Sequence, residues 1–358
     1  MRILFLTHSL SNGGAERVSA NIANELHRRG EIVSVVSLQD RSADYSLDAG
    51  INHECIDTSG SFTARAISKL ISVNSIVGDF RPNVIVSLGA GYQYILFSRL
   101  FNKFSLITSL RNDPSFLFEG HLGRLFVYKA AFSASDAVVF QTQEAKQYFS
   151  RRVQSKSFII RNPLMDNLPQ NLNPLFLRDK EFVSFGRLEP QKNIMMLLEA
   201  FSLFCIEDSE YNLTIYGRGS QKEALEAKAK SLGLGERVHF LDFSKSVHSK
   251  ILNAVAFVSS SNFEGLSNSM IEAMAIGLPV ICTDCPCGGA RDVVGEYKNG
   301  LLAEVGNPAD LCNKMQQLIY SGTEYESYLS KIDDLRRDLS SSAIVEQWLK
   351  LIDEVAHD

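Results

Sequence analysis

The sequence predicts an α/β protein made of two successive doubly wound, parallel-sheet domains. Three observations predict it. Strand-length apolar runs alternate with amphipathic helical stretches along the chain, the pattern of a parallel sheet covered by helices on both faces. The alternation breaks near the middle, at a Pro- and Asn-rich stretch, and then restarts. The 358 residues also exceed what one ordinary core organises.

Residues 3–6 read as a buried first strand. They are too short for a signal peptide, and Thr7-His8 follow at once, so the chain is expected to face the cytoplasm. Residues 15–29 read as a helix, because Val18, Ile22 and Leu26 share one face and Gly30 stops it. Strands follow at 32–38, 84–88, 106–109, 137–141 and 158–160. Helices are expected at 64–77, 92–101, 122–134 and 143–151.

Asn162-Pro163, then Pro169 and Pro174 among Asn167, Asn171 and Asn173, mark a turn-rich linker. Beyond it, strands are expected at 182–185, 213–216, 238–241, 256–259, 279–283 and 300–303. Helices are expected at 194–205, 222–232, 246–253 and 269–275, with a helix start at 290–294 and final helices from Pro308 and Ala343. Two such domains imply a cleft, and ligands in such sheets bind beyond the carboxyl ends of the strands.

Hydrophobic content of 45% and charged content of 22% are ordinary for a soluble globular protein, and no apolar run is long enough to span a membrane. Net charge is −5, split unevenly: residues 1–166 carry +4 and residues 167–358 carry −9. A basic half beside an acidic one fits an anionic partner for the first half, although scattered surface charge explains it as well. The 6 cysteines suit a reducing compartment. Cys282, Cys285 and Cys287 cluster, but no second Cys/His pair lies at zinc spacing, so idle thiols are the expectation and no metal site is assigned.

Three segments carry chemistry. Gly13-Gly14-Ala15-Glu16-Arg17 opens the first helix, where bare backbone and free N–H groups suit an anion. It lacks the G-x-G-x-x-G spacing of a dinucleotide site, and a plain strand-to-helix turn competes with it. Gly186-Arg187-Leu188-Glu189-Pro190-Gln191-Lys192-Asn193 follows a strand, and its two cations fit a diphosphate, Arg187 as a fork and Lys192 as a point charge. A solvated basic turn is the alternative. In the third segment, residues 264–275, Ser267 or Asn268 can cap a helix whose free N–H groups near Leu266 to Ser269 suit phosphate oxygens. Glu272, set among Met270, Ile271, Ala273 and Met274, needs hydrogen-bond donors if buried, and ribose hydroxyls would serve; a solvent-facing carboxylate is the other possibility.

Taken together, the chain resembles the large retaining glycosyltransferase family 4, of the two-domain GT-B fold. The resemblance rests on the three segments above, the third as an E-x7-E signature from Glu264 to Glu272. Tyr216-Gly217-Arg218-Gly219, Val238-His239-Phe240-Leu241-Asp242-Phe243 and Asp284-Cys285-Pro286-Cys287-Gly288-Gly289 add to it. It spans almost the whole chain, and order and spacing carry more weight than any one piece. It implies an acceptor-binding domain over 1–166, a nucleotide-sugar domain over 167–340, and a terminal helix over 341–358 that packs back on the first domain.

The resemblance also implies roles. Arg187 and Lys192 would hold the donor diphosphate beside Gly186, Asp242 and Phe243 would meet the base, and Glu272 the ribose. Glu264 would sit by the transferred sugar, with Gly265, Leu266, Ser267 and Asn268 lending backbone. Gly13 and Gly14 would border the acceptor and the donor phosphates, with Glu16 and Arg17 as further acceptor or sugar candidates. Many members carry a His after the fourth N-terminal strand; here the segment reads Ser109-Leu110-Arg111-Asn112-Asp113-Pro114. Arg111 and Asp113 are therefore candidate acceptor or sugar contacts by location alone. The family uses no bound metal, no Asp-x-Asp motif occurs here, and no cofactor is expected beyond a donor substrate, for which the resemblance favours a UDP-sugar.

The expected acceptor is a saccharide, linked through pyrophosphate to a lipid, in bacterial surface-glycan synthesis; nucleic acid is not an expected partner. Residues 64–77 and 116–132 combine apolar side chains with Arg65, Lys69, Arg124 and Lys129, which fits peripheral contact with an anionic membrane as well as ordinary helix packing. The missing glycine fingerprint argues against a Rossmann dehydrogenase. An epimerase of the same fold, and a non-catalytic nucleotide-sugar-binding protein, are the remaining rivals.

Overall fold

The structure is a computed structural model. It describes residues 1–11, 14–39, 45–56, 61–321 and 331–357, with backbone alone at 14 and 321. The chain divides into two units: Met1–Pro163 with Leu339–Asp358, and Leu164–Asp338.

The first unit is a seven-stranded parallel sheet in the order β3-β2-β1-β4-β5-β6-β7. Its strands are β1 (Arg2–Thr7), β2 (Ile32–Ser37), β3 (Asn52–Cys55), β4 (Val84–Leu88), β5 (Ser105–Ser109), β6 (Ala137–Phe140) and β7 (Ser157–Ile159). Ile3 pairs with Val33 on one side and Val84 on the other, and β1, β2 and β4 are buried nearly end to end. Both faces are therefore covered, which is why these strands read as continuous apolar runs. β3 is the exception: Asn-His-Glu-Cys carries no apolar alternation, so no strand is expected there. Backbone pairing with β2 makes it an edge strand.

Covering this sheet are α1 (Gly14–Arg28), α2 (Phe62–Phe80), α3 (Tyr92–Ser98), α4 (Pro114–Leu117), α5 (Leu122–Ala134), α6 (Gln143–Gln147) and α7 (Arg151–Gln154). The Ser61 hydroxyl accepts the Ala64 N–H and fixes the start of α2; Arg81 in the left-handed region ends it. The single helix expected over 143–151 is two, because Ser150 adopts extended backbone (φ −62°, ψ 155°) and restarts the turn. Tyr92, Phe118, Tyr128, Phe132, Phe140 and Phe149 form an aromatic core with centroid spacings of 4.7 to 6.3 Å.

The second unit is a six-stranded parallel sheet in the order β10-β9-β8-β11-β12-β13. Its strands are β8 (Asp179–Phe185), β9 (Asn212–Tyr216), β10 (Val238–Leu241), β11 (Ala254–Ser259), β12 (Val280–Thr283) and β13 (Gly300–Ala303). Its helices are α8 (Ile194–Glu207), α9 (Lys222–Ser231), α10 (Val247–Lys250), α11 (Asn268–Ala275), α12 (Gly289–Tyr297), α13 (Pro308–Ser321) and α14 (Ile332–Asp338). α14 is a short turn of helix that the sequence reading lacks; Arg336 on it donates to Ala275 O at the end of α11 and to Leu168 O in the linker. Arg178 adds a bond to Gly277 O, so two cations stand at the carboxyl end of α11, where they oppose its dipole.

The last helix, α15 (Ser341–His357), returns to the first unit and packs on α1, β4 and β5. Trp348 on it is fully buried, and Arg29 of the α1–β2 turn bonds Glu346 and Ser342. In each sheet the strand order reverses at one point, between β1 and β4 and between β8 and β11, the place beyond whose carboxyl ends sheets of this kind bind ligands.

Candidate active site

In the second unit that point gathers two of the three chemical segments. β8 delivers Gly186 and Arg187 at its end, and β11 delivers Ser259, Ser260 and Ser261, then Glu264. Gly186, Arg187, Lys192, Ile194, Phe257 and Ser259 line a depression between the two strand ends.

The loop after β8 is set by backbone contacts that only glycine allows. A Cβ at Gly217 would lie 2.0 Å from Gly186 O, and one at Gly219 2.2 Å from Leu188 O. Leu188 N–H donates to Arg218 O (2.9 Å), and the Glu189 carboxylate accepts from the Ser220 N–H and hydroxyl. Those two bonds from Ser220 hold the Glu189 carboxyl below its ordinary value. Tyr216-Gly217-Arg218-Gly219 is thus a brace behind the Arg187 loop. A short 3-10 turn, Pro190–Lys192, then leads to Asn193 in the left-handed region (φ 45°), whose side chain caps α8.

Lys192 and Glu264 form an ion pair, both largely buried, and the Ser261 hydroxyl also bonds Glu264 Oε1 (3.1 Å). The two loops are laced together. Ser260 Oγ donates to Lys192 O and Asn193 O, Gln191 Nε2 to Phe263 O, and Asn193 Nδ2 to Asn262 Oδ1. Arg187 is exposed; its Nη2 donates to Gln191 Oε1 (3.3 Å), and among the described residues it joins no ion pair.

α11 enters from the third segment. The Ser267 hydroxyl accepts the Met270 N–H (3.4 Å) and caps it. A Cβ placed on Gly186 would lie 3.8 Å from Ser269 Oγ and 3.6 Å from Lys192 Cε, so the helix start, the glycine and the lysine adjoin. Gly289 backs this loop: its Cβ would meet Gly265 O at 1.9 Å. Cys285 and Thr283 bond Ser261 O, and burial pushes the Cys282 thiol well above the usual range, so this cysteine cluster supports the loop from behind.

Glu272 is 2% exposed, so it does not face solvent. The sequence reading looks to ligand hydroxyls for its donors; the protein supplies a partner of its own, His248 Nε2 at 2.9 Å from Oε2. Asp242 and Phe243 lie at the end of β10, two strands from β8. Asp242 pairs with Lys222 and Arg218, which lower its carboxyl pKa, and Phe243 is exposed.

The remaining candidates belong to the first unit. Gly13 lies outside the described residues, Gly14 opens α1, and Glu16 and Arg17 occupy its first turn. Asp113 is buried and caps α4, its Oδ1 accepting the Ser115 N–H (2.8 Å). Arg111 donates from Nη1 to Ile160 O and Asn162 Oδ1 and lies 5.4 Å over the Trp348 ring. Burial pulls its pKa down to about 9. Both residues therefore carry packing and capping duties within their own unit. Sequence reasoning missed Ser260, Ser261, Gln191 and His248. A hydroxyl run at the end of an apolar strand was a usable signal for the serines; His248 offered none.

Residues 170–333 match the family model described as Glycosyl transferases group 1, and residues 3–142 match Glycosyl transferase 4-like. Together these matches take in most of the chain, which belongs to this glycosyltransferase family and has the GT-B fold. An uncharacterised glycosyltransferase of Haemophilus influenzae is 27% identical over 96% of this chain and 97% of its own length. A Campylobacter jejuni enzyme, N-acetylgalactosamine-N,N'-diacetylbacillosaminyl-diphospho-undecaprenol 4-alpha-N-acetylgalactosaminyltransferase, is also 27% identical, over 96% and 97%. Among solved structures, the lipopolysaccharide outer core galactosyltransferase WaaB in its apo form has a TM-score of 0.78 at 18% identity, covering 99% of both chains. Anabaena HepE in complex with UDP and glucose has a TM-score of 0.79 at 19% identity, covering 99% of this chain and 100% of its own. At these identities the solved structures share the fold with this chain.

Proposed function

We propose that this chain is a retaining glycosyltransferase. It moves a hexose or N-acetylhexosamine from a UDP-sugar to a saccharide carried on a lipid pyrophosphate, in bacterial surface-polysaccharide synthesis. The observation that carries the reading is the meeting of Arg187, Lys192, Glu264 and the start of α11 at the crevice of the second unit. The Campylobacter relative, named for a diphospho-undecaprenol acceptor, supports the acceptor class, and HepE, solved with UDP, supports the donor class.

In this reading the bond from the anomeric carbon to the β-phosphate oxygen breaks and the nucleoside diphosphate departs. Arg187 and Lys192, with the N–H groups of Leu266 to Ser269, offset its charge. Lys192 exchanges its Glu264 partner for phosphate, which leaves the carboxylate to the sugar. The acceptor oxygen bonds the anomeric carbon on the face the phosphate left, and its proton passes to the departing phosphate oxygen. Asp242 and Phe243 border the base and Glu272 the ribose. Gly13, Gly14, Glu16, Arg17, Arg111 and Asp113 remain the first unit's acceptor-side candidates. No step needs a bound metal or cofactor.

Peripheral attachment to an anionic membrane completes the reading. α2 and α5 both pack on α3, and they expose Phe62, Ile67, Ile71, Leu122 and Phe126 beside Arg65, Lys69, Arg124 and Lys129. Residues 61–135 hold 8 Lys/Arg against 3 Asp/Glu. Among the described residues no helix is long and apolar enough to cross a membrane. Flotation with anionic vesicles at low salt is the check, and failure to float overturns this attachment.

The reaction is tested by incubating the enzyme with UDP- and GDP-sugars, with and without a lipid-linked glycan. Slow donor hydrolysis that accelerates with acceptor is expected. Free sugar released at an acceptor-independent rate points to the epimerase, and binding without turnover to a non-catalytic protein. Near-normal transfer by Glu264→Ala would sink the assignment.

A further inference from the structure

The structure assigns His248 as a positioning residue for nucleotide binding, through its hydrogen bond to Glu272; the inference rests on the donor reading above. His248 stands on α10, a single turn of helix, and its ring is buried. Its Nε2 lies 2.9 Å from Glu272 Oε2, and both side chains are almost shut off from solvent. The Phe185 ring meets the imidazole edge to face at 5.5 Å and itself packs on Phe257 at 5.1 Å. Phe185 is the last residue of β8, directly before Gly186 and Arg187. The imidazole thus touches two separate segments of the proposed donor site, the strand that delivers the diphosphate cations and the helix that carries Glu272.

A buried carboxylate needs donors to stay charged, and one oxygen anchored by a ring N–H holds the carboxyl plane in one orientation. With Nε2 protonated, His248 gives Glu272 that anchor before any nucleotide arrives, so the nucleotide bears no cost of ordering the carboxylate. Glu272 is proposed to meet the ribose, which is remote from the bond being broken. Loss of the anchor therefore weakens donor binding and spares the chemical step.

The test uses the full chain, UDP titrated by calorimetry, and 15N spectra of the histidine rings. In the unliganded protein His248 is expected with a proton on Nε2, and Glu272→Gln is expected to shift that signal. His248→Phe keeps the ring packing on Phe185 but removes the donor; UDP affinity should fall about tenfold or more, with donor KM rising and kcat nearly kept. His248→Gln, which returns an N–H at similar reach, should recover most of the affinity. A neutral His248 with its proton on Nδ1 alone, or Phe and Gln variants that lose affinity equally, overturns the assignment. If the wild-type protein binds neither UDP nor GDP, the donor reading fails instead, and the ring spectra still decide the His248–Glu272 bond.

Discussion

Arg187 and Lys192 sit five positions apart, yet their electrostatic situations differ. Lys192 is matched to Glu264, whereas Arg187 is exposed, donates to the neutral amide of Gln191 at Oε1 and, among the described residues, joins no ion pair, so its charge is the more available of the two. Arg187→Ala is expected to lower kcat/KM for transfer by about 10²–10³-fold, the usual cost of one group that stabilises developing charge. Arg187→Lys should recover a minority of that, because the planar fork is lost; stopped assays with a radiolabelled donor measure both. Glu189 gives a pH prediction. The Ser220 hydroxyl and N–H lower its folded-state pKa below the ordinary 4.5. Its contribution is therefore present above that value and disappears as pH falls through the folded pKa. Urea midpoints taken from neutral pH down into that window should fall more steeply for the wild type than for Glu189→Gln. The cations and Glu272 were visible in the sequence because their spacing is local. Ser261 and His248 were not: His248 meets a partner 24 residues away, and nothing in Val-His-Ser-Lys announces it.

The Arg187 loop is held in place by a second loop pressed against it, backbone to backbone. Gly217→Ala would drive a methyl to 2.0 Å from Gly186 O, so one loop must move. We expect a loss of about 1–3 kcal/mol, the usual range for overpacking, and weaker nucleotide binding. Gly295→Ala is the contrast: it lies inside α12, has no unusual φ and meets nothing within 4 Å. It should be neutral or gain about 0.4–1 kcal/mol through the unfolded chain. Guanidinium denaturation of both variants checks the pair. Most elements could be read from periodicity, because buried parallel strands and amphipathic helices write their burial into consecutive residues. β3 and the break between α6 and α7 could not. The first is held by backbone bonds to β2, and the second arises from the backbone angles of one serine.

The two units are separate in core but not in sequence, since α15 leaves the second and completes the first. Trp348 is the chain's single tryptophan and is fully buried in the first unit, so its fluorescence reports that unit alone. Trp348→Ala should cost that unit about 3–5 kcal/mol. Removing residues 339–358 should unfold it while the second unit keeps its own cooperative transition, as calorimetry would show; one unchanged transition in the truncated chain would falsify the division. The parallel-sheet class and the segments that carry charge were legible in the sequence, because each depends on neighbours a few residues apart; the same segments carried the resemblance to the family that the family-model matches show. Folding alone settled that Lys192 pairs with Glu264, that His248 bonds Glu272, that Arg111 lies over the Trp348 ring and that Asp113 caps α4. These are contacts between distant segments. Their distances follow from sheet order and backbone approach, which no run of consecutive residues encodes.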